Sequence, residues 1–426
     1  MEVVADLHLH SKYSRAVSSQ MMIPEIAKWA TKKGIGLVGS ADWTHPLWLA
    51  ELKQKLVEIG EGVFACRQDL AGPKFLLTTE IASIFSQGGK IRRIHTMVFA
   101  PNFSVVEKIN EKLRGRGANL LADGRPMTGL PVKDLAEIVF SVSPECLVIP
   151  SHLWTPWFGT YGDKGGFDSL EEGYGNLSGN ILAIETGLSS DPAMNFRVAE
   201  LDNRSILSFS DAHSPSMLGR EATVFKVEDV SYPNIHQAIK TQQIAYTIEF
   251  YPEEGKYHFT GHRNCGVRQS PEETKKLGET CPVCGKPLTV GVMLRVEELA
   301  TRTKEEAAGT SQRPKFFKMV PLLEILAEVF QSGSLSKTVL EKYDFLVKHF
   351  GSELTILLKS NLEEITKVAG EKLGEGIKRV REGRIVVDPG YDGVFGTVKI
   401  WGAEEGKDGE EAREKEGEKK QMSLFS

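Results

Sequence analysis

Nine polar residues in the first half of the chain stand at or near the ends of apolar runs, where chemistry can be built. His8 and His10 end the run 3–10, and Asp42 and His45 close and follow the run 35–42. Glu80 ends 74–80, His95 lies in 94–100, His152 ends 146–152, and Asp211 and His213 end 205–213. In H-x-H and D-x-H on an extended strand, residues i and i+2 point to the same face, so each pair can reach one metal region. Imidazole with carboxylate suits zinc, manganese, magnesium or iron, and nine donors suffice for two or three divalent ions. A lone strand-end histidine is more often simply hydrogen-bonded. Nine in series would each need a separate buried partner, which favours metal.

Some fold must bring these residues together. Seven runs (the five above, 181–187, and 205–213 as the last) alternate with amphipathic stretches such as 24–33 and 131–142. That is the pattern of an α/β fold. On a β/α barrel the C-terminal strand ends converge on one mouth, where active sites form. A closed seven-stranded barrel over residues 1–250 is therefore expected, although an open sheet fits the same pattern.

A formal net charge of −5 gives no global basic signature, so any nucleic acid must be met by local patches and metal ions. No apolar run approaches the roughly 20 residues of a membrane span. The start, MEVVADLHLH, lacks a basic segment before an apolar core, so a cytoplasmic, nucleoid-associated protein is expected.

Three of the five cysteines cluster, and His262, Cys265, Cys281 and Cys284 read H-x2-C-x15-C-x2-C. Two close pairs separated by a loop are what one tetrahedral structural zinc requires. His258 is the substitute for His262, and a redox C-x-x-C or free-thiol hairpin is the other reading. A zinc-binding module over 251–299 follows, with Arg263, Arg268, Lys275, Lys276 and Lys286 as basic neighbours. Residues 300–314 read as a flexible charged linker. Residues 315–402 read as a helical domain ending in a small strand pair. Within it, 361–382 is either a helix-hairpin-helix that offers backbone N–H groups to DNA phosphates or an ordinary helix pair. Residues 403–420 form a charged tether expected to be disordered. In 421–426, Gln421, Leu424 and Phe425 resemble the peptides that dock on sliding clamps, either PCNA or the bacterial clamp.

The series DLHLH, ADWTH, TTE, IHTMVF, IPSH and SDAH resembles the polymerase and histidinol phosphatase (PHP) superfamily. The resemblance implies a distorted seven-stranded barrel, two or three metal ions and hydrolysis of phosphate esters. Two departures stand out. The usual adjacent Asp-His is stretched to Asp42-Trp43-Thr44-His45, leaving open which of the two binds metal. Ser14 and Arg15 stand where the superfamily places a further ligand.

Barrel, Cys/His insert, helical region and terminal peptide together resemble the endonuclease Q family, including the segment SSDPAMNFR. This implies incision of DNA 5′ to uracil, hypoxanthine, xanthine or an abasic site. A phosphatase of small phosphate esters is the alternative. Asp191, Asp211 and His213 are the catalytic candidates, although Asp191 equally suits the N-cap of a helix starting at Pro192. An extruded nucleotide needs aromatic surfaces. Trp43, Trp154, Trp157, Phe158 and Tyr161 are the candidates near the predicted mouth.

Overall fold

The computed structural model describes residues 1–309 and 313–402. All seven apolar runs contain strands: β1 (Glu2–Asp6), β2 (Leu37–Gly39), β3 (Asp69–Gln87), β4 (Lys90–Ala100), β5 (Leu147–Pro150), β6 (Ala183–Glu185) and β7 (Ser205–Leu207). Six more strands extend the sheet: β8 (Ala222–Lys226), β9 (Ile244–Glu249) and β10 (Lys315–Lys318) on one flank, and the short strands Leu56–Gly60, Val63–Cys66 and Met127–Thr128 around β3.

The sheet is large and mixed. β1 is parallel to β2 and antiparallel to β8, and β2 is parallel to β3. β3 and β4 form a long antiparallel hairpin, from Leu77↔Ala100 to Gln87↔Lys90, and β4 pairs antiparallel with β5. Its turn is Gly88-Gly89, both at positive φ, which a tight reversal needs and glycine supplies without strain. On the other flank β8 pairs with β9, and β9 runs parallel to β10. β6 and β7 form a separate parallel pair. It abuts the main sheet through Leu153 N–H to the Glu185 carbonyl (3.0 Å) and Ser208 N–H to Thr223 Oγ1 (2.9 Å). Ladder hydrogen bonds thus do not run unbroken around seven strands.

Strand periodicity sorts the side chains. On β1 and its extension, Val3, Ala5 and Leu7 enter one apolar core, while His8 and His10 take the opposite parity. The expected helices form as Ile23–Lys33 and Val132–Val142, and bury their apolar stripes against the other face. A third core joins Ile248 of β9 to the C-terminal helices, among them Leu322–Phe330, Lys337–Phe350 and Glu371–Arg381. The buried ion pair Lys33–Glu353 (2.7 Å) ties that helical region to the sheet domain.

Residues 361–382 form two helices, Leu362–Ala369 and Glu371–Arg381, hinged at Gly370 (φ 98°). A Cβ on Gly374 would lie 2.1 Å from Thr366 Oγ1, so glycine there allows the close crossing. The strand pair is Val386–Asp388 with Thr397–Lys399.

One expectation is corrected. In the 300–314 segment the described residues are docked, because Arg302 and Arg313 both pair with Asp202 and Thr303 caps the short helix Lys304–Ala308. Among the described residues, no helix is long and apolar enough to cross a membrane. The tether 403–420 and the peptide carrying Gln421, Leu424 and Phe425 lie outside the described residues.

Candidate metal centre

Two groups of three donors form, with His8 and His10 beyond β1, Glu80 and His95 within β3 and β4, His152 beyond β5 and Asp211 beyond β7. His95 Nδ1, His152 Nε2 and Glu80 Oε1 make a triangle with edges of 3.1, 3.2 and 3.1 Å. A proton can serve one edge of such a triangle. A cation with bonds of about 2.0–2.1 Å can serve all three corners. The second group is His8 Nε2, His10 Nε2 and Asp211 Oδ1, with His10 at 3.1 Å and His8 at 3.7 Å from the carboxylate oxygen. All three atoms, and Glu80 Oε1, are buried without a hydrogen bond of acceptable geometry. Uncompensated buried polar atoms that converge are the mark of an ion site. Glu80 links the groups, since its other oxygen is 3.4 Å from His10 Nε2. The donor set therefore fits divalent metal ions.

Carboxylates behind the rings fix their orientation. Glu185 lies 2.8 Å from His8 Nδ1 and also accepts the backbone N–H of His152 at 2.8 Å. Asp42 lies 3.0 Å from His10 Nδ1 and accepts bonds from Ser11 N–H, Ser11 Oγ and Ser14 Oγ. With Nδ1–H donated backward, each Nε2 lone pair faces the centre. Arg125 donates to Glu80 Oε2 at 3.0 Å from the mouth side.

The electrostatics call for cations. Burial opposes charge on His8, yet Glu185, Glu80 and Asp211 outweigh it and hold the ring well above its ordinary pKa. Asp42, with Asp211 and Glu80, does the same for His10 against its burial. Burial takes His95 down to about 4 despite Glu80. The backbone is strained here as well. Asp42, His152, Phe158 and Asp211 all have positive φ (33°, 30°, 73° and 47°) without being glycine.

A second cluster lies on the module that follows. The donor atoms of His262, Cys265, Cys281 and Cys284 all fall within 4.8 Å of one another. His258 is buried elsewhere, against Phe259, so His262 is the histidine of this cluster. Burial raises the Cys281 thiol, but the N–H groups of Cys284 and Val283 outweigh it and bring it to about 6, which favours a thiolate ligand. The module also holds the C-terminal strand pair, through Arg268–Asp388 (2.6 Å) and Arg263 N–H to Asp392 (2.7 Å).

The helical residues 321–384 match the MJ0043 C-terminal domain family. The uncharacterized protein MJ0043 of Methanocaldococcus jannaschii is 33% identical over 254 residues, 58% of this chain. The match spans only 31% of that relative's length. The uncharacterized YqxK of Bacillus subtilis is 29% identical over 93% of this chain and 99% of its own. Among solved structures, the lesion-specific endonuclease Q of Pyrococcus furiosus superposes with a TM-score of 0.82 at 32% identity, covering 94% of this chain and 96% of its own. An endonuclease Q in complex with a 27-mer duplex carrying an abasic lesion at its active site matches at TM-score 0.82 and 34% identity, over 94% and 97% of the two chains.

The chain belongs to the endonuclease Q family.

Within this endonuclease Q chain the expected site residues separate into three sets. His8, His10, Glu80, His95, His152 and Asp211 converge as donors. Asp42 sits behind His10, while His45 stands outside both groups, at the N-terminus of the helix Pro46–Lys55 with its ring stacked on Tyr13 at 4.5 Å. In the stretched Asp-x-x-His, neither Asp42 nor His45 thus belongs to a donor group, and Asp42 is the one in contact with a donor ring. His213 lies at the rim, its Nδ1 2.8 Å from the Asp211 carbonyl and its ring 4.8 Å from that of His10.

Three aromatic expectations are corrected. Trp43, Trp154 and Tyr161 are 0% exposed, so none can offer a ring face to a nucleotide. Trp43 follows Asp42 in sequence but packs into the core, and Trp154 and Tyr161 stack edge-on at 5.2 Å. Trp157 and Phe158 remain partly exposed, and Phe158 lies 4.3 Å from the His95 ring. Asp191 caps the helix Pro192–Asn195 through Met194 N–H (2.9 Å), and its other oxygen pairs with Lys318 (2.9 Å). Neither oxygen engages the donor groups. Sequence reasoning missed Glu185 and Arg125. Glu185 lies in the run ILAIETG at the last position of β6, whereas Arg125 sits in a loop without such a signal.

Proposed function

We propose that this chain is a DNA repair endonuclease that hydrolyses the phosphodiester 5′ to deaminated bases (uracil, hypoxanthine, xanthine) and to abasic sites. The observation that carries the reading is the pair of three-donor groups linked by Glu80, in a chain matched over 94% of its length by endonuclease Q structures. His8, His10 and Asp211 hold one divalent ion and Glu80, His95 and His152 another. Zinc, manganese, magnesium and iron all suit this chemistry.

When bound, such ions supply Lewis acidity at the phosphate and lower the pKa of the attacking water. The protein's own residues set the stage. Glu185 and Asp42 hold the tautomers and aims of His8 and His10. Arg125 places a guanidinium at the mouth, where it meets the phosphate oxygens. His213, anchored through Nδ1, keeps Nε2 toward the rim. Trp157 and Phe158 face the DNA beside it.

In this reading residues 1–250 form the PHP-type phosphoesterase barrel, 251–299 a module stapled by one zinc, and 315–402 a DNA-binding domain. The terminal peptide, with Gln421, Leu424 and Phe425, recruits the chain to a sliding clamp.

The test is a nicking assay on end-labelled duplexes carrying one uracil, hypoxanthine or abasic site, with each metal in turn and an undamaged control. A cut 5′ to the lesion, lost in the Asp211→Ala, His213→Ala double variant, supports the reading. Phosphate release from small esters without lesion-dependent cutting moves the function to the phosphatase class.

A further inference from the structure

A cavity of about 520 Å³ opens between the start of β4 and the glycine-rich loop 162–166. The segment leading into this loop runs along the edge of β4. His95 N–H donates to the Phe158 carbonyl (2.8 Å), and Arg93 N–H donates to the Gly165 carbonyl (3.1 Å). Glycine permits that approach, since a Cβ on Gly165 would lie 3.2 Å from the Arg93 nitrogen. Arg92 pins the loop from within, its guanidinium donating to the Gly166 carbonyl and lying 4.2 Å from the Phe167 ring centre.

Charge in this cavity is unbalanced. Each carboxylate that lines it has a cation: Asp163 pairs with Lys164 (2.6 Å), Glu172 with Arg92 (2.8 Å), and Asp168 with Arg295. Lys90 and Arg93 line it as well, and among the described residues neither side chain makes a hydrogen bond or an ion pair. Arg295 holds the Asp168 carboxyl below its ordinary range, and Lys90 and Arg92 add to the effect, so the local field is positive. The backbone supplies further donors. The N–H groups of Asp163 and Gly165 meet no acceptor among the described residues, and free N–H groups in a turn form a concavity suited to anions. A guanidinium beside such donors matches the oxygens of a phosphate.

Its place on the strand names the source of the phosphate. Arg93 and His95 are two residues apart on β4, so their side chains leave the same face about 7 Å from each other. Phosphates of one DNA strand recur about every 3.4 Å of duplex rise, so the separation corresponds to about two nucleotides. We infer that this cavity seats a backbone phosphate of the DNA strand flanking the scissile bond, held by Arg93, Lys90 and the N–H groups of the 162–166 loop. The inference rests on the repair-endonuclease reading. Such a contact reads no base and is the same for every lesion. Its work is to fix the register of the strand, so that the bond offered to the metal centre is set by the backbone while the neighbouring nucleotide is free to turn out.

The experiment measures binding of undamaged, uracil-containing and abasic duplexes by the full chain over a range of salt concentrations, with thermal melts alongside. Arg93→Ala should lower the slope of log affinity against log salt by about 1 on every duplex, and Arg93→Lys should restore it. Lys90→Ala, at an exposed position, carries the same expectation if Arg93→Ala melts early. A neutral methylphosphonate is then moved phosphate by phosphate along the lesion strand. At one position it should weaken wild-type binding as much as Arg93→Ala does, and the two changes together should cost no more than either alone. Unchanged slopes in both alanine variants, or additive losses at every position, overturn the inference, and wild-type incision in the same preparation keeps the endonuclease reading intact. Inorganic phosphate that raises the melt of wild type but not of Arg93→Ala, with DNA slopes unchanged, makes the cavity a site for free phosphate and overturns it too. Wild-type protein that incises none of the lesions removes the endonuclease reading, and this inference with it.

Discussion

Glu185 stands directly behind His8, 2.8 Å from its Nδ1, and the same carboxylate accepts the backbone N–H of His152. One side chain thus aims a donor of each ion group. Glu185→Ala should raise the Kd for divalent ions by about 10–100-fold, the usual cost of removing an orienting carboxylate. Calorimetric titration of metal-stripped protein would check it. Unchanged affinity at both ions would show that the rings are held by packing alone.

Asp191 offers a sharp contrast. Its oxygens cap a helix and pair with Lys318. Asparagine caps nearly as well as aspartate, so Asp191→Asn should cost about 1 kcal/mol through the Lys318 pair and leave incision within a few-fold of normal. Incision abolished in a variant that melts normally would return Asp191 to the catalytic set.

The aromatic residues should divide by burial. Trp43→Ala should destabilise the protein by about 3–5 kcal/mol by opening a core cavity. Trp157→Ala or Phe158→Ala should leave the melt nearly unchanged and weaken discrimination of damaged from normal DNA. A stable Trp43→Ala that loses discrimination would reverse the assignment.

Stability should also fall with rising pH through Glu249. Burial raises its carboxyl to about 8 against hydroxyl bonds from Ser208 and Thr247, with Asp191 adding to the rise. The folded pKa lies above the unfolded one, so this contribution is whole in acid. It is lost as pH rises from about 4.5 to about 8. Glu249→Gln should flatten the decline, gaining up to roughly 5 kcal/mol relative to wild type at the alkaline end. Parallel melting curves for the two proteins across that range would refute the assignment.

Chelation should separate the two kinds of metal site. His262, Cys265, Cys281 and Cys284 are placed to hold an ion, and its removal should lower the melting temperature, because the same module docks the strand pair through Arg268–Asp388. Cys281→Ser should do so without stripping the ions at Glu80, as elemental analysis of both preparations would show.

Much of the centre was legible because polar donors on apolar runs announce themselves. His8, His10, Glu80, His95, His152 and Asp211 were all marked by position on a period-2 run. Glu185 obeyed the same rule and was passed over, since a single acidic residue with no histidine beside it looks like ordinary capping. Trp43 misled for the opposite reason. Nearness to Asp42 along the chain placed it at the mouth, but successive side chains diverge and the indole enters the core. The β3–β4 hairpin was hidden because the runs 74–80 and 94–100 look separate, although Gly88-Gly89 lies between them. Arg125 depends on tertiary placement alone.

The pairing of β1 with β8 has a consequence for synthesis. The strand that leads to His8 and His10 emerges some two hundred residues before its antiparallel partner, Ala222–Lys226. A nascent chain released before that point holds its first two donors on an unpaired edge, with Asp211 unanchored. The donor group of His8, His10 and Asp211 can therefore close only after Asp211 and β8 have been made. The edge beyond β9 waits longer still, for Lys315–Lys318. Until then the growing chain depends on avoiding strand-to-strand contact with its neighbours on the polysome.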